Sequence, residues 1–153
     1  MATLTWAAQR LNADRVLVGE VRGPEVIPAI MIMALGNDGS LFTVHAPSSD
    51  AALRKCQSYA SIAPERWSHE ESAWMIRDAV HAVVHVDYDR SANRRYVASI
   101  RVITGIQGRQ LLTDEVYGRT DDGTLAPTGA GLDDELSEEL HRVGFAADER
   151  GAA

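Results

Sequence analysis

Short apolar runs separated by turn residues dominate the first eighty positions of the chain. Val16 to Glu20 and Leu41 to His45 begin as apolar runs of the length and type that parallel strands show, and a Gly36-to-Gly39 turn precedes the second. Between the two runs, Gly23-Pro24 breaks the chain before a mainly apolar stretch at about 25 to 35, which predicts a helix. The pattern therefore predicts a β-α-β unit with two parallel strands.

Helical periodicity marks further segments of the first half. Residues 3 to 12 carry apolar side chains at helical spacing, and residues 50 to 62 follow a Ser48-Ser49 pair that can cap a helix. Ser68 and Glu71 have the spacing of a capping box at the start of a helix. We therefore expect three helices besides the one between the strands.

The second half has the alternation of an antiparallel sheet. Strands are predicted at 83 to 88, 96 to 104 and 109 to 117, with a tight turn at 105 to 108. A polar loop is predicted at 118 to 131, before an amphipathic helix that ends at Gly144. We expect one folded region at 1–146, which divides into an αβα core part (1–82), a β-meander (83–117) and a loop with the terminal helix (118–146), followed by a disordered tail at 147–153.

Composition narrows the class of protein. The 153 residues suit one domain, and 45% apolar content is typical of a globular chain. The net charge of −7 argues against general binding to nucleic acid. Neither an export signal nor a membrane span is indicated, so a cytoplasmic location is expected. Cys56, the single cysteine, is expected to be a buried helical residue, and Lys55 is the only lysine.

Glu20 and His45 each end one of the two predicted parallel strands. Because the carboxyl ends of parallel strands meet at one edge of a sheet, both side chains could emerge there. A carboxylate in that place can orient a water or hold a metal ion indirectly, and a histidine can donate to a phosphate oxygen. The alternative is structural: Glu20 pairs with Arg22 or Arg15, and His45 closes a turn.

The amino-acid identities in these two segments favour the functional interpretation of Glu20 and His45 over the structural one. LTWAAQRLNADRVLVGEVRGPE and GNDGSLFTVHAPSS resemble the Walker B region and the histidine box of the RecA-like motor ATPases of type II and type IV secretion and of pilus assembly. The resemblance is strongest to the actinobacterial branch that serves tight-adherence pili, and it extends through HAVVHVDY, RRYVASIRVITG and RQLLTDEVY to the final helix. It implies a partial RecA-like P-loop NTPase core, parallel strands with helices, followed by the antiparallel meander and the C-terminal helix.

Each motif residue then takes a role that the resemblance implies. Glu20 would be the Walker B glutamate, which activates the attacking water or supports the magnesium shell through water, and His45 would sense the γ-phosphate. Arg22 and Gly23 belong to the first box, and Thr43 lies beside His45 in the second. The resemblance also places Asp14 before the Walker B strand and Lys55 at a basic position of the next helix, whereas Pro47 and Asp50 differ from the common family residues.

The phosphate-binding part of such an enzyme is missing from the sequence. P-loop enzymes hold phosphates with G-x-x-x-x-G-K-[ST], and no such string occurs here. The chain therefore resembles the C-terminal half of a motor ATPase, and hydrolysis of ATP with Mg²⁺ by this chain alone is not expected. A RecA-like sheet without its first strands would expose an apolar edge.

The partners implied by the resemblance are an upstream Walker A-bearing half or homologous motor subunits, a hexamer, and an inner-membrane secretion or pilus platform that would hold the chain peripherally at the membrane. Nucleic acid is not among them. Two other hypotheses stay open. The chain could be a non-catalytic adaptor or inhibitor that packs into a motor ring, or a degenerate or misassigned reading frame without a function of its own.

Other clusters favour structural interpretations. His81, His85 and Asp87 have the composition of a metal site, but a change from helix to strand between the histidines separates the rings. The acidic residues at 121–122 and 133–135 suit a solvated loop and the first turn of a helix. Basic residues at 90, 94 and 95 flank a hairpin tip, and the tryptophans at 6, 67 and 74 suit a core or an interface.

Overall fold

A computed structural model describes residues 3, 7, 10–11, 13–37, 39–132 and 134–144. Most of the predicted helix at 3 to 12 and the whole predicted tail at 147–153 lie outside these residues. In chain order the elements are β1 (Leu17–Val18), α1 (Val26–Ala34), β2 (Leu41–Phe42), α2 (Ser49–Ile62), α3 (His69–Ala79), β3 (Ala82–Asp89), β4 (Arg94–Gln107), β5 (Gln110–Arg119), β6 (Leu125–Pro127) and α4 (Asp134–Arg142). The predicted mixed α/β class is confirmed.

The predicted parallel strands pair on either side of helix α1. Leu17 lies opposite Leu41 and Val18 opposite Phe42. The regular ladder is shorter than the predicted strands, but single backbone bonds extend the pairing, from Leu41 N to the Val16 carbonyl at 3.1 Å and from Val21 N to the Thr43 carbonyl at 2.8 Å. The two segments therefore stay paired in parallel as far as Val21 and Thr43, close to Glu20 and His45.

Helix α1 forms the centre of the first core. Val26, Ile27 and Ile30 are fully buried, and the helix packs against α2 and α3. Pro28 is accommodated because it lies in the first turn, where its missing N–H would have no acceptor inside the helix. This packing fixes the crossover that connects β1 to β2.

Side-chain caps begin the two following helices, as the sequence predicts. The Ser48 hydroxyl accepts from the backbone N–H of Ala51 at 3.1 Å. Ser68 and Glu71 form a reciprocal capping box, with the Glu71 carboxylate accepting from Ser68 N at 2.8 Å and the Ser68 hydroxyl accepting from Glu71 N at 3.1 Å. The hydrogen bonds of the N-cap residues Ser48 and Ser68 thus define the first turns of both helices.

The second half forms an antiparallel sheet in the order β3-β4-β5-β6. The predicted loop at 118 to 131 needs correction, because residues 125–127 form strand β6, which pairs with β5. The reason is a tight turn: Gly123 takes a positive φ of 82°, and the Thr120 N–H donates to the Thr124 carbonyl at 2.9 Å. Residues typical of a loop thus join two paired strands.

Two compact units divide the chain. The first comprises Met1–Val80 and Gly105–Leu111, and the second comprises His81–Thr104 and Leu112–Ala153. Within the first unit, the Gln57 side chain donates to the carbonyls of His69 at 3.1 Å and Arg109 at 3.2 Å. Among the described residues, no helix has the length and apolar character that a membrane span requires.

Candidate functional site

The ends of β1 and β2 bring Glu20 and His45 together. His45 Nε2 lies 3.2 Å from Glu20 Oε1. The Glu20 side chain keeps only 22% of its exposure, whereas the imidazole is 85% exposed. Parallel pairing of the two strands places both residues on one edge of the sheet. A carboxylate that is partly withdrawn from solvent therefore contacts an accessible imidazole.

Arg22 gives Glu20 a second partner. Its Nη2 lies 2.5 Å from Glu20 Oε2, and the guanidinium is 76% exposed. The hydrogen bond from Arg22 is the main reason that the pKa of Glu20 lies below its ordinary value of 4.5. Partial desolvation opposes this effect, and the positive charges of Arg22 and Lys55 reinforce it. Glu20 is therefore ionised at neutral pH, with both oxygens engaged.

Backbone contacts fix the two segments that carry these side chains. The Thr43 hydroxyl donates to the Gly19 carbonyl at 2.6 Å, next to the backbone bond from Val21 to Thr43. The Glu25 carboxylate accepts from the Arg22 N–H at 2.7 Å. Thr43 thus connects β2 to the end of β1, and Glu25 holds the turn after Glu20.

Lys55 approaches the site from helix α2. Its Nζ donates to the His45 carbonyl at 2.7 Å and lies 5.6 Å from the centre of the Tyr59 ring. Sequence reasoning placed a basic residue on this helix but missed the contact. It also missed Glu25, although a glutamate directly after Gly23-Pro24 and before a helix was a usable signal.

The remaining predicted motif residues lie around this centre. Gly23 is buried. A Cβ added at this position would have the Glu25 carboxylate oxygen Oε2 as its nearest neighbour, at 3.7 Å, which is an ordinary van der Waals contact. Asp14 is exposed ahead of β1. Asp50 pairs with Arg54 one turn along α2, so it serves the helix surface. The structure thus groups Glu20, Arg22, Thr43 and His45 with Lys55.

The other clusters have structural partners. His81 Nε2 lies 3.9 Å from Glu139 Oε2, and within the described part of the chain no group of three or more His, Cys, Asp or Glu side chains could hold a metal. Asp122 accepts from the Thr124 N–H at 2.9 Å in the turn before β6. Burial raises the pKa of Cys56 to about 12, so this thiol is unreactive at neutral pH.

Comparisons with known proteins give the chain its relatives. A protein of Mycobacterium tuberculosis that is named as a conjugal transfer protein is 32% identical over 102 residues, which cover 67% of this chain and 28% of the relative. The conjugal transfer protein TrbB of Rhizobium radiobacter is 27% identical over 126 residues, covering 82% of this chain and 37% of the relative. No family model matches.

The fold has a counterpart among solved structures. The crystal structure of the VirB11 ATPase from the Brucella suis type IV secretion system matches with a TM-score of 0.59 and 24% sequence identity. The match covers 65% of this chain and 30% of the VirB11 chain. The chain is thus related to conjugal transfer proteins and has part of the VirB11 ATPase fold. It spans well under half the length of these relatives.

Proposed function

We propose that the chain contributes the Walker B and histidine-box side of an ATP site in a type IV secretion or conjugation motor. The observation that carries the proposal is the contact of His45 Nε2 with Glu20 Oε1 at 3.2 Å, at the ends of two parallel strands. The conjugal transfer relatives and the partial VirB11 ATPase fold support the choice of motor. Both functional side chains lie on the part of the chain that the sequence resemblance covers.

The state of Glu20 indicates which chemical role it has. A carboxylate whose pKa is lowered by Arg22 is a weak acceptor of protons at neutral pH. Phosphoryl transfer relies mainly on positioning and on stabilisation of charge. We therefore assign to Glu20 the orientation of the attacking water, and of a water in a magnesium shell, in preference to full proton abstraction.

Arg22 and His45 are the groups of this cluster that can meet a phosphate. Both are largely exposed, and both are held by the single carboxylate of Glu20. A terminal phosphate would compete with Glu20 for these donors, so its arrival or loss would change the contacts of His45. Such an exchange would couple the state of the nucleotide to the position of β2 and of the helix that follows it.

The residues present suit one side of a site for ATP and Mg²⁺. Donors to a phosphate are present in Arg22 and His45, but the described residues contain no set of three metal-binding side chains, and the sequence has no Walker A loop. We propose that another polypeptide segment, outside this sequence, binds the phosphates and most of the metal shell. When bound, the metal would neutralise charge on the phosphates.

The exposed face of the parallel sheet supports the need for such a partner. Leu17 and Leu41 lie opposite each other and are 69% and 54% exposed, whereas Val18 on the other face is buried. A sheet in a RecA-like core has helices on both faces. We propose that a Walker A-bearing half or a homologous motor subunit covers this leucine pair.

The finer features remain part of the proposal. The proposed assignment to the tight-adherence branch is based on the residues of the two motifs, whereas the relatives reported above are conjugal transfer proteins. A hexamer, a cytoplasmic location and attachment to an inner-membrane platform follow from the proposed motor class. The adaptor alternative predicts that Glu20 and His45 can be replaced without loss of function.

ATP turnover by a reconstituted pair tests the proposal. The chain would be mixed with a Walker A-bearing half of a related motor, and Mg²⁺-dependent release of phosphate would be measured for wild type and for Glu20→Gln. We expect a loss of about 10²-fold or more, because the amide keeps the shape but loses the charge that orients the water. Asp50→Asn, which neutralises a carboxylate outside the cluster, is the matched control. An active pair with an unchanged rate in Glu20→Gln would exclude the assigned role.

A further inference from the structure

We infer that Lys55 is a positioning residue. Its hydrogen bond to the His45 carbonyl connects the backbone between β2 and α2 to helix α2, and this contact orients the His45 side chain towards Glu20. The structural part of this inference is independent of nucleotide, and its catalytic consequence rests on the proposed function. The resemblance implied only a basic residue at this position. The contact of Lys55 with the main chain of His45 gives that residue a specific task.

The geometry makes the backbone of His45 the anchored part of the residue. The imidazole is exposed and has Glu20 as its contact, so packing alone does not hold the ring in place. Lys55 Nζ reaches the His45 carbonyl at 2.7 Å from the second turn of α2. A hydrogen bond from an ammonium group is stronger than one between neutral groups. Lys55 therefore holds the segment between β2 and α2 at His45, the residue whose side chain must be oriented towards Glu20.

The lysine itself is guided by its own helix. Tyr59 lies four residues further along α2, and its ring centre is 5.6 Å from the ammonium nitrogen, within the range of a cation–π contact. The side chain is half-buried, and its charge also helps to keep Glu20 ionised. Lys55 thus acts on both members of the pair, on His45 through the backbone and on Glu20 through its field.

Replacement by methionine and by arginine separates anchoring from mere helix packing. Methionine keeps the unbranched chain and removes the donor, whereas arginine restores a charged donor. Arg54→Met is the matched control, because it removes one positive charge from the adjacent position of α2, where Arg54 pairs with Asp50. Backbone ¹⁵N relaxation of the purified chain would be measured at residues 44–46.

In Lys55→Met we expect the order parameters at 44–46 to fall from about 0.85 to below about 0.6, and Lys55→Arg and Arg54→Met to stay near wild type. In the reconstituted pair, Lys55→Met should lower kcat about 10-fold or more with little change in KM for ATP, and arginine should restore most of the rate. Unchanged order parameters in Lys55→Met, or an unchanged kcat, would overturn the inference. An unaffected rate in Glu20→Gln would instead refute the proposed function and leave the anchoring result standing.

Discussion

The buried face of α1 offers a quantitative test of how the site is supported, because this helix connects the two strands that carry Glu20 and His45. Ile30 is fully buried on α1, whereas Leu35 is largely exposed at the end of the same helix. Replacing each with alanine removes three carbons of similar chemistry. Only the change at Ile30 leaves a cavity in the core.

The expected loss for Ile30→Ala is about 2–5 kcal/mol of the free energy of unfolding, a large part of the roughly 5–15 kcal/mol available to a domain. For a chain of this size, each kcal/mol lowers the melting temperature by about 2–4 °C. Leu35→Ala should stay within about 0.5 kcal/mol of wild type, since its side chain gains little from folding. The two variants thus differ in burial while sharing the helix.

Tryptophan fluorescence suits this measurement. Trp67 and Trp74 belong to the first compact unit, and the sequence has no tryptophan at 81–104 or 112–153, the residues of the second unit, so tryptophan-selective excitation follows the unit that contains α1. Urea unfolding curves would give the change in midpoint and slope for each variant. Equal shifts of the midpoint in Ile30→Ala and Leu35→Ala would refute the assigned packing of α1, and with it the account of how β1 and β2 are kept in register.

Two further predictions concern charge and capping. Arg22→Gln should raise the pKa of Glu20 towards its ordinary value of 4.5, because the main hydrogen bond that lowers it is lost; ¹³C-carboxyl NMR titration would measure this, and no rise would contradict the pairing. Ser68→Ala should lower stability by about 1 kcal/mol at neutral pH, compared with a smaller effect of Ser61→Ala, measured by urea unfolding. Hydrogen bonds from the backbone N–H and then the side chain of Ser68 lower the pKa of Glu71, so the stability that the Glu71 carboxylate contributes is present above pH 4.5 and should fade as the pH drops through the folded-state pKa; a Glu71→Gln variant whose stability deficit stays unchanged in acid would contradict the part of the carboxylate in the cap.

Local chemistry explains why most of the elements could be predicted. Ser48 and Ser68 mark the starts of two helices through bonds within one turn, and the apolar run after Gly23-Pro24 is long enough to be a buried helix. Strand β6 was missed because its three residues lie in a stretch rich in turn formers. Its pairing depends on β5, a partner that local composition does not reveal.

The candidate site likewise combines features that the sequence predicts with features that only the structure reveals. The proximity of Glu20 and His45 could be predicted from the sequence because strand ends in a β-α-β unit converge by topology. The contact of Lys55 with the His45 carbonyl could not, since it depends on the angle at which α2 leaves the loop. Which of the two arginines, Arg15 or Arg22, pairs with Glu20 likewise required coordinates.

The first unit is discontinuous in sequence, and this has a practical consequence. The chain leaves it after Val80 and returns at Gly105–Leu111, where Gln57 donates to the Arg109 carbonyl. A fragment that stops at residue 80 would leave one polar side chain of α2 without this acceptor. Anyone who dissects the protein for crystallisation or for a binding assay should therefore keep residues Gly105–Leu111 in the fragment.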